Sequence, residues 1–273
     1  MPSISAKARI ETTRSLVAKL SRVSKNGLLT VDQAAKVMGV DKKRVAMKLA
    51  SLVRSGWLER ARRGLYFILP LEAIPGQKTT TEDPWVLARE LFSPCYIGGW
   101  SAAEHWGLTE QLFRSTLVVT AANVRERSLT ILGNEFRLFQ VDKTRIKGTE
   151  LIWRGTGQVA ISDKERTIID GLRNPELCGG MGHVIHIMSE YSKSSDYNFQ
   201  KVIIHAQEAN SGAVWKRLGY LTESLWPDEK KVIQKAHQNL TSGNIKLDPN
   251  VKNKGSLVSK WRIWVNVKVR DNE

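Results

Sequence analysis

Apolar positions in the first 70 residues predict three helices and a β-hairpin. The clearest pattern is that of Val45, Leu49, Leu52 and Val53, which fall on one side of a helix at about 100° per residue. The expected elements are a helix over 6–24, a helix from its N-cap Thr30 to about Met38, a helix over 42–55, and strands over 57–60 and 65–69 around a tip at 61–64. This order, with the turn Gly39-Val40-Asp41 between the second and third helices, predicts a winged helix-turn-helix.

Beyond residue 82 the pattern becomes a mixture of helices and strands. Helices are predicted from Asp83-Pro84 and over 100–106, 163–172 with Ser162 as cap, 184–192, 199–209, 214–218 and 228–240. Strands are predicted over 115–120, 129–141 as a hairpin turning at Gly133-Asn134, 151–154, 158–161 and 261–269.

Between these two regions, residues 71–82 carry proline, glycine and a run of threonine, which is typical of a linker. The expected fold class is therefore α+β. A winged helix-turn-helix domain over 1–70 precedes a larger mixed α/β domain over 83–273.

Positive charge is concentrated in the first quarter of the chain. The formal net charge is +15, and residues 1–70 hold 15 of the 42 Lys and Arg but only 4 of the 27 Asp and Glu. Such an asymmetry indicates a polyanionic partner for that region. The two distant cysteines, the absence of a signal-peptide core and the absence of a long apolar run favour a cytoplasmic protein. The nine tryptophans lie in apolar contexts and are expected in the core.

The positions of the basic residues on the predicted motif suggest double-stranded DNA as that partner. The recognition helix of such a motif lies in the major groove, where Lys and Arg bind guanine and an apolar side chain contacts the thymine methyl. The expected DNA-contacting residues are Lys43, Arg44, Met47 and Lys48 on the third helix, Arg60, Arg62 and Arg63 on the wing, and Thr30 and Gln33 near phosphates.

A plainer interpretation stays open for each of these residues. The third helix fits a solvated basic face, and the arginine cluster fits an ordinary basic turn. The basic residues before Leu28 fit either additional phosphate contacts or a helix that packs on the domain.

Signals for catalysis are weak. His183 and His186 share a helical face but lack further ligands at a familiar spacing. The glycine-rich stretch 179–182 precedes a helix but lacks the lysine and hydroxyl of a phosphate-binding loop, and a flexible connection explains it better. Asp163 and Glu165, with Asp170, are better explained by helix capping than by a metal site. We therefore expect no enzyme activity, no metal and no cofactor.

Five stretches of the second region carry a family resemblance. They are YIGGWSAAEHWGL at 96–108, VAISDKERTIIDGL at 159–172, GGMGHV at 179–184, AVWKRLGYLTE at 213–223, and KLDPN with WRIWVNV between 246 and 267. Together with the winged helix, this chain resembles the AbiEi family of antitoxins and transcriptional regulators. These proteins belong to type IV toxin–antitoxin systems linked to abortive infection and phage defence.

The resemblance implies an autorepressor and antitoxin. Its N-terminal domain would bind inverted repeats in its own promoter cooperatively. Its C-terminal domain would counteract a nucleotidyltransferase-like toxin without forming a stable complex. The oligomeric state stays open, since cooperativity arises either from this domain or from DNA bending. Two other hypotheses also stay open: a one-component regulator whose C-terminal domain senses a small ligand, and a nucleic-acid enzyme, for which no convincing carboxylate cluster exists.

Overall fold

The computed structural model describes residues 4–24, 27–69, 83–155 and 157–269. The chain folds as two compact units, one of residues 1–81 with 130–134 and the other of 82–129 with 135–273. The predicted linker over 71–82 lies outside the described residues.

The first unit contains the three predicted helices and the predicted hairpin in the predicted order, with a short strand before the second helix. They are α1 (Ile4–Val23), β1 (Leu28–Thr30), α2 (Val31–Met38), α3 (Lys42–Arg54), β2 (Leu58–Arg62) and β3 (Leu65–Ile68). β3 lies between β1 and β2 and pairs antiparallel with both. Three helices with a small antiparallel sheet confirm the fold class expected for this region, which is consistent with a winged helix-turn-helix.

The core of this unit follows from the periodicity of its helices. Val45 and Leu49 of α3 are fully buried, as the stripe on that helix predicts. Val17 and Leu20 of α1 are fully buried in the same cluster. The first helix therefore packs on the domain.

The wing differs in detail from its prediction. β2 continues to Arg62, and only Arg63 and Gly64 form the turn, so the predicted tip at 61–64 is too long. The cause is a bulge: Arg60 pairs with Tyr66 and Arg62 with Leu65, which leaves Ala61 as an extra residue in the strand.

A six-stranded mixed sheet organises residues 95–162. Its strands are β4 (Cys95–Ile97), β5 (Ser115–Thr120), β6 (Ser128–Ile131), β7 (Asn134–Gln140), β8 (Thr149–Arg154) and β9 (Gly157–Ser162), in the order β6-β7-β5-β4-β9-β8. β4–β5 and β8–β9 are antiparallel, whereas β5–β7 and β4–β9 are parallel.

The second unit also contains helices. They are α4 (Pro84–Phe92), α5 (Gly99–His105), α6 (Lys164–Arg173), α7 (Met181–Lys193), α8 (Phe199–Ala209), α9 (Gly212–Leu225) and α10 (Lys230–Gln238). Apolar residues of α5 to α10 form one large buried cluster. The mixed α/β character predicted for this region is confirmed.

The C-terminal segment corrects the prediction of one strand over 261–269. β12 (Ile263–Val265) is only three residues long and lies between β10 (Ile245–Lys246) and β11 (Ser256–Val258). The chain turns immediately before it, because Arg262 adopts a φ of 54° in the left-handed region. Alternating apolar residues therefore resembled one long strand, although only three of the nine residues pair in a sheet.

Two smaller expectations are also wrong. The N-cap of α6 is Asp163, whose carboxylate accepts from the N–H of Arg166 at 2.6 Å, and the hydroxyl of Ser162 instead contacts Thr167. Not every tryptophan is in the core, since Trp153 on β8 is 71 % exposed.

Candidate nucleic-acid interface

The turn between α2 and α3 is fixed at both of its ends. Gly39 ends α2 with a φ of 63°, and its N–H donates to the carbonyl of Ala35 at 2.9 Å. Asp41 caps α3, since its Oδ1 accepts from the N–H groups of Lys43 and Arg44 at 3.0 Å each. The first turn of α3 therefore starts at a defined position and carries the two cations predicted to be nearest the bases.

The exposed side of α3 carries all four of its predicted DNA contacts. Lys43, Arg44, Met47 and Lys48 are exposed, on the side away from buried Val45 and Leu49. Met47 is 60 % exposed and lies among these cations. Cations around an apolar side chain match the hydrogen-bond acceptors of guanine and the methyl group of thymine on the floor of a major groove.

Two cations at the start of α3 have acidic partners. The Nε of Arg44 lies 3.3 Å from Asp41, and the Nζ of Lys42 lies 2.7 Å from Asp32. Both pairs are largely exposed, so each contributes little to stability and is open to exchange for a phosphate. Among the described residues, no ion pair involves Lys43 or Lys48.

The wing presents basic residues beside the helices. Arg60 and Arg63 are exposed, while the side chain of Arg62 lies outside the described part of the chain. The carbonyl of Gly64 accepts from the N–H of Val31 at 3.2 Å. This hydrogen bond holds the wing turn against the start of α2, so the wing has a fixed position relative to that helix.

Thr30 and Gln33 form a capping box at the start of α2. The Oγ1 of Thr30 accepts from the N–H of Gln33 at 3.2 Å, and the Oε1 of Gln33 accepts from the N–H of Thr30 at 2.8 Å. The Nε2 of Gln33 donates to the carbonyl of Val23 at 3.1 Å. These contacts give both side chains a structural role, and their approach to phosphate stays a prediction.

Among the side chains that the structure describes, the first helix adds three exposed cations. Arg14, Lys19 and Arg22 are exposed, whereas Val17 and Leu20 between them are buried. Packing of this helix therefore leaves its basic side open to solvent, and a phosphate contact there remains untested.

Comparison with known proteins agrees with this geometry. Residues 18–68 match the family model described as "Transcriptional regulator, AbiEi antitoxin". The match runs from the last part of α1 through the end of the wing. The AbiEi resemblance expected from the sequence is thus confirmed for the winged-helix segment, and it supports a DNA-binding antitoxin regulator in general.

A solved structure extends the fold comparison to both units. The crystal structure of the RV2827C protein from Mycobacterium tuberculosis aligns over 91% of this chain and 89% of its own, with a TM-score of 0.55 and 15% identity. At that identity the likeness shows a shared fold. No match was found among curated proteins. No helix in the described ranges is long and apolar enough to cross a membrane.

In the second unit, outside the segment that matches the AbiEi model, both ring nitrogens of His183 lie within hydrogen-bond distance of neighbouring groups. Its Nδ1 lies 2.5 Å from the carbonyl of Cys178 and its Nε2 lies 2.7 Å from the hydroxyl of Thr109. Because a carbonyl only accepts, Nδ1 carries the proton and Nε2 accepts from Thr109. Burial lowers the pKa of His183, which favours this neutral form. Both ring nitrogens are engaged, so the pair with His186 does not offer two free ligands.

The glycine-rich stretch is a capped helix start. The N–H of Met181 at the start of α7 donates to the Oδ2 of Asp248 at 2.8 Å, and Asp248 is 4 % exposed. A carboxylate from the C-terminal segment therefore occupies the position that a bound anion would take. The prediction of a flexible connection missed this long-range contact.

The acidic residues of α6 have structural partners. The hydroxyl of Tyr191 donates to Glu165 at 2.6 Å, and the hydroxyl of Tyr96 donates to Asp170 at 2.6 Å. The guanidinium of Arg166 lies 3.1 Å from Asp170, and both side chains are buried. Among the described residues, no three His, Cys, Asp or Glu side chains are grouped as metal ligands would be.

A second basic concentration was missed in the sequence. Residues 230–269 hold nine Lys and Arg and only one acid, Asp248. Some of these cations are structural: the Nζ of Lys246 donates to the carbonyl of Val251 at 2.9 Å, and Lys260 pairs with Glu223. Counting net charge in windows of about 40 residues finds this segment. Comparing the first quarter with the rest of the chain does not, because acidic residues elsewhere in the second region offset its positive charge.

Proposed function

We propose that this chain is a DNA-binding autorepressor and the antitoxin of a type IV toxin–antitoxin system. The observation that carries the proposal is the exposed basic face of α3, inside the segment that matches the AbiEi family. In this proposal the chain is divided into a DNA-binding winged helix over 1–70, a linker over 71–82 and an antitoxin domain over 83–273.

In this proposal α3 enters the major groove of the promoter. Lys43 and Arg44 donate to guanine, Met47 contacts a thymine methyl, and Lys48 contacts the backbone. Arg60, Arg62 and Arg63 bind phosphates or enter the adjacent minor groove. The fixed wing turn supports this arrangement, because a wing with a defined position relative to the helices can follow the backbone beside the groove.

The C-terminal domain would counteract a nucleotidyltransferase-like toxin encoded alongside this chain, without a lasting complex. The family resemblance of the second region supports this part of the proposal.

A mobility shift with the full chain tests the DNA-binding part. The probe is the DNA upstream of its own gene, and the competitor is unrelated DNA at the same salt concentration. Stepwise shifts that survive the competitor are expected, because inverted repeats provide more than one site. Equal displacement by unrelated DNA would reduce the finding to general affinity for polyanions and would overturn the autorepressor.

A small-ligand sensor is the second candidate, and one cavity favours it. A cavity of about 320 Å³ beside α4 and α5 is lined by aromatic, hydroxyl and basic side chains, including Trp85, Ser101 and Arg114. If this domain senses a metabolite, the DNA affinity of the full chain would change when a cell extract of small molecules is added. If the chain is an autorepressor that senses no small ligand, its DNA affinity is expected to stay the same.

A further inference from the structure

β8 is an edge strand of the six-stranded sheet. It pairs along all six of its residues with β9, without a register shift. On its other side, no strand of the described residues pairs with it. An edge of this kind presents unpaired backbone N–H and C=O groups to whatever lies beside it.

The side chains of this edge are unusually apolar for an exposed strand. Leu151 is 66 % exposed and Trp153 is 71 % exposed, and the two share one face because they are two residues apart. Edge strands avoid association through charged side chains, proline or a bulge. β8 has no proline and no bulge, and its two charges, Glu150 and Arg154, have opposite signs, so they do not repel a second copy of the same strand.

We propose that β8 pairs antiparallel with β8 of a second copy of this chain, around a two-fold axis at Ile152. In this register Leu151 lies opposite the partner's Trp153, and Glu150 lies opposite the partner's Arg154. The two sheets would then form one continuous sheet. Each apolar side chain of the exposed face gains an apolar neighbour across the interface, and each charge on the other face gains an opposite charge.

The charge pattern selects a second copy as the occupant and fixes the register. A two-fold axis at Leu151 would put Glu150 opposite the partner's Ile152. A two-fold axis at Trp153 would put Arg154 opposite the partner's Ile152. Only the axis at Ile152 pairs the two opposite charges of the strand with each other. A closed two-fold contact of this kind uses the same patch on both subunits.

Arg154 is already oriented on its own subunit. Its Nε lies 3.0 Å from Asp83, and its guanidinium carbon lies 4.3 Å from the ring centre of Trp85. The side chain is 37% exposed in this position. Glu150 is exposed, and no ion pair within the described residues involves it. The partner's carboxylate would therefore meet a cation whose conformation is set in advance.

Sedimentation of the full chain over a concentration series, without DNA, tests the proposal. Wild type is expected to show a monomer–dimer equilibrium. Trp153→Lys and Glu150→Lys each place a lysine beside the partner strand and are expected to weaken dimerisation by about tenfold or more. Leu112→Lys is the matched control, because Leu112 is 81 % exposed on a loop outside the sheet. Its dimerisation is expected to equal that of wild type.

A cross-link tests the register. Two directly opposed residues of an antiparallel pair have Cα atoms about 4.5–5.5 Å apart, which a disulfide can bridge. Ile152→Cys is therefore expected to give a covalent dimer under mild oxidation. Thr149→Cys is the control on the same strand, because it would lie about 20 Å from its counterpart at about 3.3 Å per residue. Wild type, with Cys95 and Cys178, gives the background.

Three results would overturn the proposal. They are a wild type that stays monomeric at every concentration, a dimer that both lysine variants leave unchanged, and a cross-link at position 149 in place of 152. None of these measurements contains DNA, so they stand or fall separately from the proposed function. If Ile152→Cys does not fold, as circular dichroism would show, the sedimentation series still decides whether the edge pairs.

Discussion

The guanidinium of Arg44 lies 3.3 Å from the carboxylate of Asp41, the same carboxylate that caps the helix carrying Arg44. One side chain therefore sets the start of α3 and pairs with Arg44, one of the cations predicted to contact DNA. Both side chains are largely exposed, so the ion pair itself adds little to stability. The cap and the ion pair can be separated by mutation, because asparagine caps a helix about as well as aspartate.

Asp41→Asn is expected to strengthen DNA binding without unfolding the domain. The substitution keeps the acceptor for the two N–H groups, removes a negative charge from the interface and releases Arg44. The slope of log affinity against log salt is expected to steepen by up to about one unit. Titrations at several salt concentrations measure it, with thermal unfolding as the check on the cap. Affinity equal to wild type would place Arg44 outside the interface.

Arg44→Ala is expected to relax the preference for one base. If the guanidinium binds guanine with two hydrogen bonds, its loss costs about 1–3 kcal/mol of discrimination at that position. Binding to a set of single-base operator variants measures this. A uniform loss over all operator variants would instead make Arg44 a phosphate contact.

Arg62→Ala combined with Arg63→Ala is expected to weaken binding to every sequence alike. Removing two phosphate contacts lowers the salt slope by about one to two units. Arg125→Ala is the control, since Arg125 is an exposed arginine of the second unit. A wing variant with the slope of wild type would take the wing out of the interface.

The elements of the winged helix could be predicted because each carries a local signal. The stripe of Val45, Leu49 and Leu52 gives α3 its period. Thr30 is the cap of α2, as expected, and Asp41, a residue type that favours the cap position, is the cap of α3. Such signals lie within a few residues of each other, so no tertiary information is needed to find them.

The features that were missed depend on distant contacts or on backbone angles. Ser162 and Asp163 are both good caps, and only the surrounding contacts decide between them. The left-handed φ of Arg262 has no signal in its residue type, so a turn resembled a strand. The exposure of Trp153 depends on which strand lies at the edge of the sheet. The order of the strands is set by pairing between distant segments, so the sequence of a single strand does not predict it.

The pH dependence of stability is expected to contain a contribution from His205. Its Nε2 lies 3.1 Å from Asp163 and its Nδ1 lies 3.3 Å from Glu208. The hydrogen bond with Asp163 is the main cause that raises the pKa of His205 above its usual value of 6.5. A raised pKa in the folded state stabilises the protein fully below the unfolded pKa and loses that effect as the pH rises through the folded pKa.

His205→Gln isolates this contribution. Unfolding free energies of wild type and variant are compared by denaturant titration between about pH 5 and 8, where histidine titrates. The destabilisation caused by the variant is expected to be greatest at acidic pH and to shrink as the pH rises. A difference that stays constant with pH would mean that the charge of His205 makes no contribution.

The last prediction concerns the contact between Asp248 and the start of α7. The Oδ2 of Asp248 accepts from the N–H of Met181 at 2.8 Å, and its Oδ1 accepts from the N–H of Asn250 at 2.9 Å. Asp248→Ala removes both acceptors and leaves the buried N–H of Met181 without one, at a cost of about 1–3 kcal/mol; the N–H of Asn250 belongs to an exposed residue and adds less. A lower unfolding free energy is therefore expected in denaturant titration.

Asp248→Asn separates the role of the acceptor from that of the charge. Asparagine keeps a carbonyl oxygen for Met181 but loses the attraction of a carboxylate for the helix N-terminus, which contributes about 0.3–1 kcal/mol at exposed sites and up to about 2 when partly buried. The expected order of stability is wild type, then Asp248→Asn, then Asp248→Ala. Inorganic phosphate supplies a further test, because an emptied N-terminus between Gly180 and Gly182 can accept an anion. Phosphate is expected to stabilise Asp248→Ala more than wild type, and equal stabilisation would mean that the cap is not an anion-accepting position.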